Sequence, residues 1–136
     1  MRFMTRDTDY ALRALIYMSK ALSRKDKKVV TVEDIVRSEK LPKVFLRRIL
    51  QRLAERKVLA SYKGNAGGFM FLSRPENIRI TDIMNIFQGR IDLTNCLLKG
   101  KICPERSACP LRKKMKAVNA VVVKELDRIT IRSLAR

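Results

Sequence analysis

Histidine is absent from this 136-residue chain, and acids are scarce: 13 Asp and Glu stand against 31 Lys and Arg. Without histidine there is no Ser–His–Asp triad, no Cys–His nucleophile pair, no histidine-ligated zinc or haem, and no imidazole switch near neutral pH. The shortage of acid leaves a net charge of +18. That charge suits a polyanionic partner: nucleic acid, an anionic membrane or a ribosome-like setting. Long apolar runs are also missing. No stretch approaches the roughly 18 apolar residues of a membrane span, and Met1-Arg2-Phe3-Met4-Thr5-Arg6-Asp7 meets charge before an apolar signal core forms. The expectation is a soluble, cytoplasmic protein with no membrane role. Cysteine is limited to three residues, an odd count that in a reducing compartment points to metal or redox chemistry over a disulfide framework.

Apolar residues make up 46% of the chain, enough for a core. Leu12, Leu15, Ile16, Met18 and Leu22 recur at helical spacing among Ala11, Ala14 and Ala21, which predicts a helix over Tyr10 to Leu22 capped by Thr5 or Asp7. Thr31-Val32-Glu33-Asp34 has the outline of a capping box and opens a short helix to about Ser38. Lys40-Leu41-Pro42 interrupts it, and Pro42 suits the first turn of a second helix running to about Arg56. That helix turns Phe45, Leu46, Ile49, Leu50 and Leu53 inward. Its outer side carries Lys43, Arg47 and Gln51 at i, i+4 and i+8, with Arg48 and Arg52 beside them and no acid from Lys43 to Ala54. Helix, break and helix form a helix-turn-helix outline, and a face without acid raises it above an ordinary helical hairpin.

Val58 to Tyr62 and Phe69 to Leu72 read as strands joined by Lys63-Gly64-Asn65-Ala66-Gly67-Gly68. Three of the five glycines lie in this tip, so the backbone there turns tightly or approaches something closely. The tip lacks the Lys-Ser/Thr of a phosphate loop and no helix follows it. A hairpin after a helix-turn-helix is a wing. A further helix starts at Thr81 and ends near Gly89. From Pro110 a final helix carries Leu111, Met115, Val118, Val122, Glu125 and Ile129 at spacings of 4, 3, 4, 3 and 4, a heptad-like stripe suited to a paired dimer helix as well as to packing on its own domain.

All three cysteines fall between these helices, as Cys96, Cys103 and Cys109, among Lys99, Lys101, Arg106, Arg112, Lys113 and Lys114. Nearby cations favour the thiolate, the reactive and metal-binding form. Sulfur ligands select zinc, copper(I) or an iron–sulfur centre. The Cys-x2-Cys pairing common in structural zinc sites is missing, and the wide spacing suits a cluster. Three free thiols in a surface loop remain the plain alternative.

With Asp9-Tyr10-Ala11-Leu12-Arg13, Leu41-Pro42-Lys43-Val44-Phe45-Leu46, the wing tip and the three-cysteine loop in place, the chain resembles the winged-helix regulators that include IscR and NsrR, over nearly its whole length. The resemblance implies a mainly α (α+β) fold: a winged helix-turn-helix over residues 1–89, a cysteine loop over 90–110 and a dimerisation helix over 111–136. It implies no enzyme but a homodimeric regulator, paired through the C-terminal helix, that binds a double-stranded DNA operator. Lys43, Val44, Arg47, Arg48 and Gln51 would face the major groove, Thr5, Arg6 and Lys63 would hold phosphates, and Gly64 and Asn65 would bring the wing tip to the minor groove. It further implies an iron–sulfur cluster, 2Fe-2S or 4Fe-4S, on Cys96, Cys103 and Cys109, sensing nitric oxide, redox state or iron and cluster status. Histidine is unavailable as a fourth ligand; the resemblance to the nitric-oxide-sensing members implies Asp9 from the partner subunit, with Asp92, Glu105 or an exogenous group as alternatives, and a solvated or helix-capping role as the plain reading of Asp9. A cluster-free repressor that senses thiol state or a partner protein, and a zinc-stabilised winged-helix protein, are the competing readings.

Overall fold

The computed structural model describes residues 3–24, 28–65, 67–94 and 107–136. Helix α1 spans Arg6–Ser23 and is central: α2 (Val32–Glu39), α3 (Lys43–Glu55), α4 (Ile80–Phe87) and α6 (Ile131–Leu134) all pack on it. Thr5 fills the cap position, its Oγ1 accepting from the Thr8 amide. The helix therefore begins one turn before the apolar stripe. Ala11, Leu12, Ala14, Leu15 and Met18 are buried, whereas Leu22, at the helix end, is exposed. The two buried alanines, being small, let neighbouring helices lie close.

The capping box of α2 forms as its sequence predicts. Thr31 Oγ1 accepts from the Asp34 amide at 3.1 Å, and the Thr31 amide donates to Asp34 Oδ2 at 3.1 Å. Lys40 ends α2 in the left-handed conformation, φ 54°, donating its amide to the Val36 carbonyl. Buried Leu41 then plugs the turn, and Pro42 stands one residue before the first turn expected for it, as the extended N-cap of α3. On α3, Leu46, Ile49, Leu50 and Leu53 are buried, each contributing about 1.5–3 kcal/mol of apolar burial. Its other end closes with a second left-handed lysine, Lys57 at φ 61°. The Lys57 amide donates to Ala54 and the Val58 amide to Leu53, the paired bonds of a Schellman cap. This aims the chain straight into the wing.

The wing pairs β1 (Leu59–Tyr62) antiparallel with β2 (Gly68–Phe71), in the register Leu59 with Phe71 and Tyr62 with Gly68. Val30 joins as a short third rung, exchanging both backbone hydrogen bonds with Phe69 at 2.8 and 2.9 Å. Here lies the reason for the tip glycines. A Cβ on Gly68 would stand 2.5 Å from the Val30 carbonyl oxygen, and one on Gly67 would stand 2.6 Å from the Tyr62 carbonyl oxygen. Gly64, at φ 104°, needs its conformation but faces open space. Gly68→Ala is therefore expected to lower stability by about 2 kcal/mol or more, and Gly64→Ala by only about 1 kcal/mol. Urea denaturation of both checks this; equal losses would show that backbone angle, and not the approach of Val30, sets the requirement.

The C-terminal region departs from the single helix that its stripe suggests. Helix α5 spans Pro110–Leu126 and no residue on it is fully buried. The residue after it is tied to α4: Thr81 Oγ1 donates to Asp127 Oδ1 at 2.5 Å. Ile129, the last residue of the expected stripe, accepts from the Ile80 amide, Thr130 bridges to Arg79, and Thr130 caps the separate helix α6. Ile131 is fully buried against the head. Residues 127–134 thus pack against α1 and α4 and tie the end of α5 to them. Among the described residues, no helix is long and apolar enough to cross a membrane.

Candidate nucleic-acid interface

The outer face of α3 is built from its first two turns. Val44, Arg47, Arg48 and Gln51 stand at i, i+3, i+4 and i+7, one side of the helix, and all are exposed, as is Lys43. The run without acids in the sequence is not, however, without acids in space. Lys43 Nζ lies 2.6 Å from Glu33 Oε1 on α2, and Arg48 Nη2 lies 3.6 Å from Asp7 Oδ2 on α1. The hydrogen bond from Lys43 holds the Glu33 carboxyl below the ordinary carboxylate range. Arg47 and Gln51 make no hydrogen bond or ion pair with any other described side chain. Two cations of the face are therefore braced, and the two longest side chains without a brace lie between and below them.

Phe45 departs from the expected inward position. It is half-buried, and the guanidinium carbons of Arg6 and Arg48 lie 5.0 and 5.3 Å from its ring centroid. Such cation–π stacking contributes about 0.5–1 kcal/mol per pair at exposed sites. It also fixes the start of α1 against the recognition face, so that Arg6 and Arg48 present one surface. The wing tip adds Lys63, Gly64 and Asn65, all exposed, where the Gly67 amide donates to the Gly64 carbonyl in a tight turn.

Gln88 is a positioning residue that no local pattern reveals. Its Oε1 accepts from the Thr5 amide at 3.0 Å and from Thr8 Oγ1 at 2.8 Å, while its Nε2 donates to the Phe3 carbonyl at 3.0 Å. Thr5, expected to hold a phosphate, is exposed but has its hydroxyl engaged in capping α1. Its backbone is locked to the end of α4, immediately before the segment that leads to the cysteines.

Of the three cysteines, Cys109 lies within the described residues, and Cys96, Cys103 and Glu105 lie outside them. Cys109 is a free, half-buried thiol at the cap of α5, its carbonyl accepting from the Lys113 amide. Asp92 is already occupied: it accepts from the Thr94 amide at 2.8 Å and Thr94 Oγ1 at 2.5 Å. Those bonds, with Arg112 and Lys116 nearby, hold its carboxyl below the usual range. The Leu93 amide donates to Asn119 Oδ1 on α5 at 3.0 Å. Both ends of the cysteine segment are thereby attached to one helix, about 15 Å apart along its axis. Asp9 is exposed in the first turn of α1. Among the described residues, no group of three Cys, Asp or Glu is placed to hold a metal ion.

A helix-turn-helix with a cationic second helix and a two-stranded wing defines a winged-helix DNA-binding regulator. The chain belongs to the Rrf2 family, described as iron-dependent transcriptional regulators, which it matches over residues 4–136. It is 38% identical over 96 residues to an HTH-type transcriptional regulator of Aquifex aeolicus, spanning 71% of this chain and 64% of that protein, just under two thirds of its length. It is 26% identical over 132 residues to NsrR of Shouchella clausii, covering 96% of this chain and 87% of NsrR. Its fold is shared with the oxidised form of Staphylococcus aureus CymR, at a TM-score of 0.74 and 20% identity, over 100% of this chain and 97% of CymR. Membership places the chain among transcription regulators, not enzymes.

Proposed function

We propose that the chain acts as a homodimer that binds an operator of double-stranded DNA, with α3 in the major groove and the wing against the backbone and minor groove. One observation carries the reading: Val44, Arg47, Arg48 and Gln51 form a single exposed stripe on the second helix, with the wing tip exposed as well. Arg47, unbraced, is the base reader, since arginine pairs with guanine O6 and N7. Arg48, Arg6 and Lys63 serve phosphates. Arg47→Ala is expected to cost about 1–3 kcal/mol in operator binding and to relax the preference at one base pair. Fluorescence anisotropy on single-base variants of a selected operator measures this. A loss uniform over all variants would move Arg47 to the phosphates.

Dimerisation is assigned to α5, whose Leu111, Val118 and Val121 are exposed apolar side chains on a helix with no fully buried residue. Its far end is fixed to the head by Asp127, Ile129 and Ile131. A change at the cysteine end of α5 therefore acts through the helix on how two heads are spaced, and half-site geometry makes affinity depend on that spacing.

The signal is assigned to the cysteine segment through thiol state. Cys109 is a free thiol seated where that segment enters α5. A second reading is favoured by the three cysteines and the likeness to NsrR: soft thiolates suit an iron–sulfur cluster, with Asp9 as the candidate fourth ligand. Anaerobic purification followed by iron and sulfide analysis separates the two. Absence of both, with operator affinity that changes on reversible thiol oxidation and not in Cys109→Ser, supports the thiol switch. Stoichiometric iron and sulfide, lost in Cys103→Ala, transfers the role to a cluster.

A further inference from the structure

Val44 is the most exposed large apolar side chain among the described residues, at 81%. It sits in the first turn of α3, the part of a recognition helix that meets base edges. Its neighbours leave it clear. Lys43 is drawn aside to Glu33, and Arg48 lies along Phe45 toward Asp7. The nearest residues of its own stripe are then Arg47, one turn on, and Gln51, two turns on. The valine is left largely uncovered.

Resting on the DNA-binding reading of α3, we propose that Val44 is a specificity residue that selects thymine through its 5-methyl group. The methyl is the one apolar feature on a major-groove base edge. A β-branched side chain in a helix keeps essentially one χ1 rotamer, so the two valine methyls are fixed in place without ordering cost on binding. Valine also disfavours the alternatives. Against cytosine or adenine it would cover an amino group and offer it no acceptor, and a polar group buried without a partner is penalised. Val44 and Arg47 then divide the work: one reads shape at one base pair, the other reads hydrogen bonds at a neighbouring one.

The test uses an operator enriched from random DNA by the full chain. Each thymine is replaced in turn by deoxyuridine, which removes the methyl and leaves the pairing edge and amino pattern unchanged. The parent chain is expected to lose about fourfold in affinity at one thymine in each half-site, and about sixteenfold when both are replaced, the effect of one buried methyl per site. In Val44→Ala the same replacements should change affinity by less than about twofold. Because Val44 is exposed, this variant should melt with the parent, which circular dichroism verifies. A flat scan in the parent, or an equal penalty in Val44→Ala, overturns the proposal while leaving DNA binding intact. Failure to enrich any sequence removes the DNA-binding reading and the proposal together.

Discussion

Val118→Glu is expected to split the dimer and to weaken operator binding by roughly 10²–10⁴-fold, without unfolding the head. Val118 is exposed on α5, and the core of the winged domain draws nothing from it. In the chain alone, its substitution touches water. In a dimer, a carboxylate placed on an apolar seam is desolvated without a partner, which opposes association. Two linked heads bind two half-sites with the second event made intramolecular, which is the source of the large factor. Sedimentation velocity should report a monomer whose circular dichroism matches the parent, and anisotropy should report the lost affinity. A variant that remains dimeric and binds normally would remove α5 from the dimer interface.

Operator binding is also expected to fall steeply with salt, by roughly 10³–10⁵ between about 50 and 200 mM, if a dimer makes about six to ten phosphate contacts. The face supports a number of that size. Arg6, Arg48 and Lys63 are exposed on each head beside Arg47, while Lys43 is partly neutralised by Glu33 and Arg48 by Asp7. These ion pairs set an upper limit that the +18 net charge would overstate. A plot of log affinity against log salt gives the number of contacts from its slope. A flat line would mean that the positive face does not meet phosphate at all.

The parts of the fold that were legible in the sequence are those written in short range. The α2 capping box needs only Thr31 and Asp34, and the inward face of α3 needs only the spacing of Leu46, Ile49, Leu50 and Leu53. The glycines of the wing were legible as a demand for close approach, though not that Val30 is what approaches. What stayed hidden is held by contacts across the chain. The cap of α6 is written locally in Thr130 and Ser133, but the anchorage of the turn before it is not: Asp127 is held by Thr81, 46 residues away. Gln88 gives no signal at all, since its partners lie at Phe3, Thr5 and Thr8. The candidate interface was legible as a face but not as a balance. Its exposed residues follow from helical spacing, whereas the braces Asp7 and Glu33 come from other helices and divide its cations into held and available ones. The cysteine segment shows its chemistry in the sequence and its anchorage only in the structure, through Leu93 on Asn119 and Cys109 at the head of α5.

On the proposed reading, the regulator is a dimer that reads two half-sites with two recognition helices. Hydroxyl-radical footprinting of the parent chain on its enriched operator tests it most directly. The expected result is a two-fold symmetric pattern with two major-groove half-sites an integral number of helical turns apart, about 10–10.5 base pairs or a multiple, and two chains per operator. A single asymmetric footprint, or protection that does not depend on sequence, would contradict it.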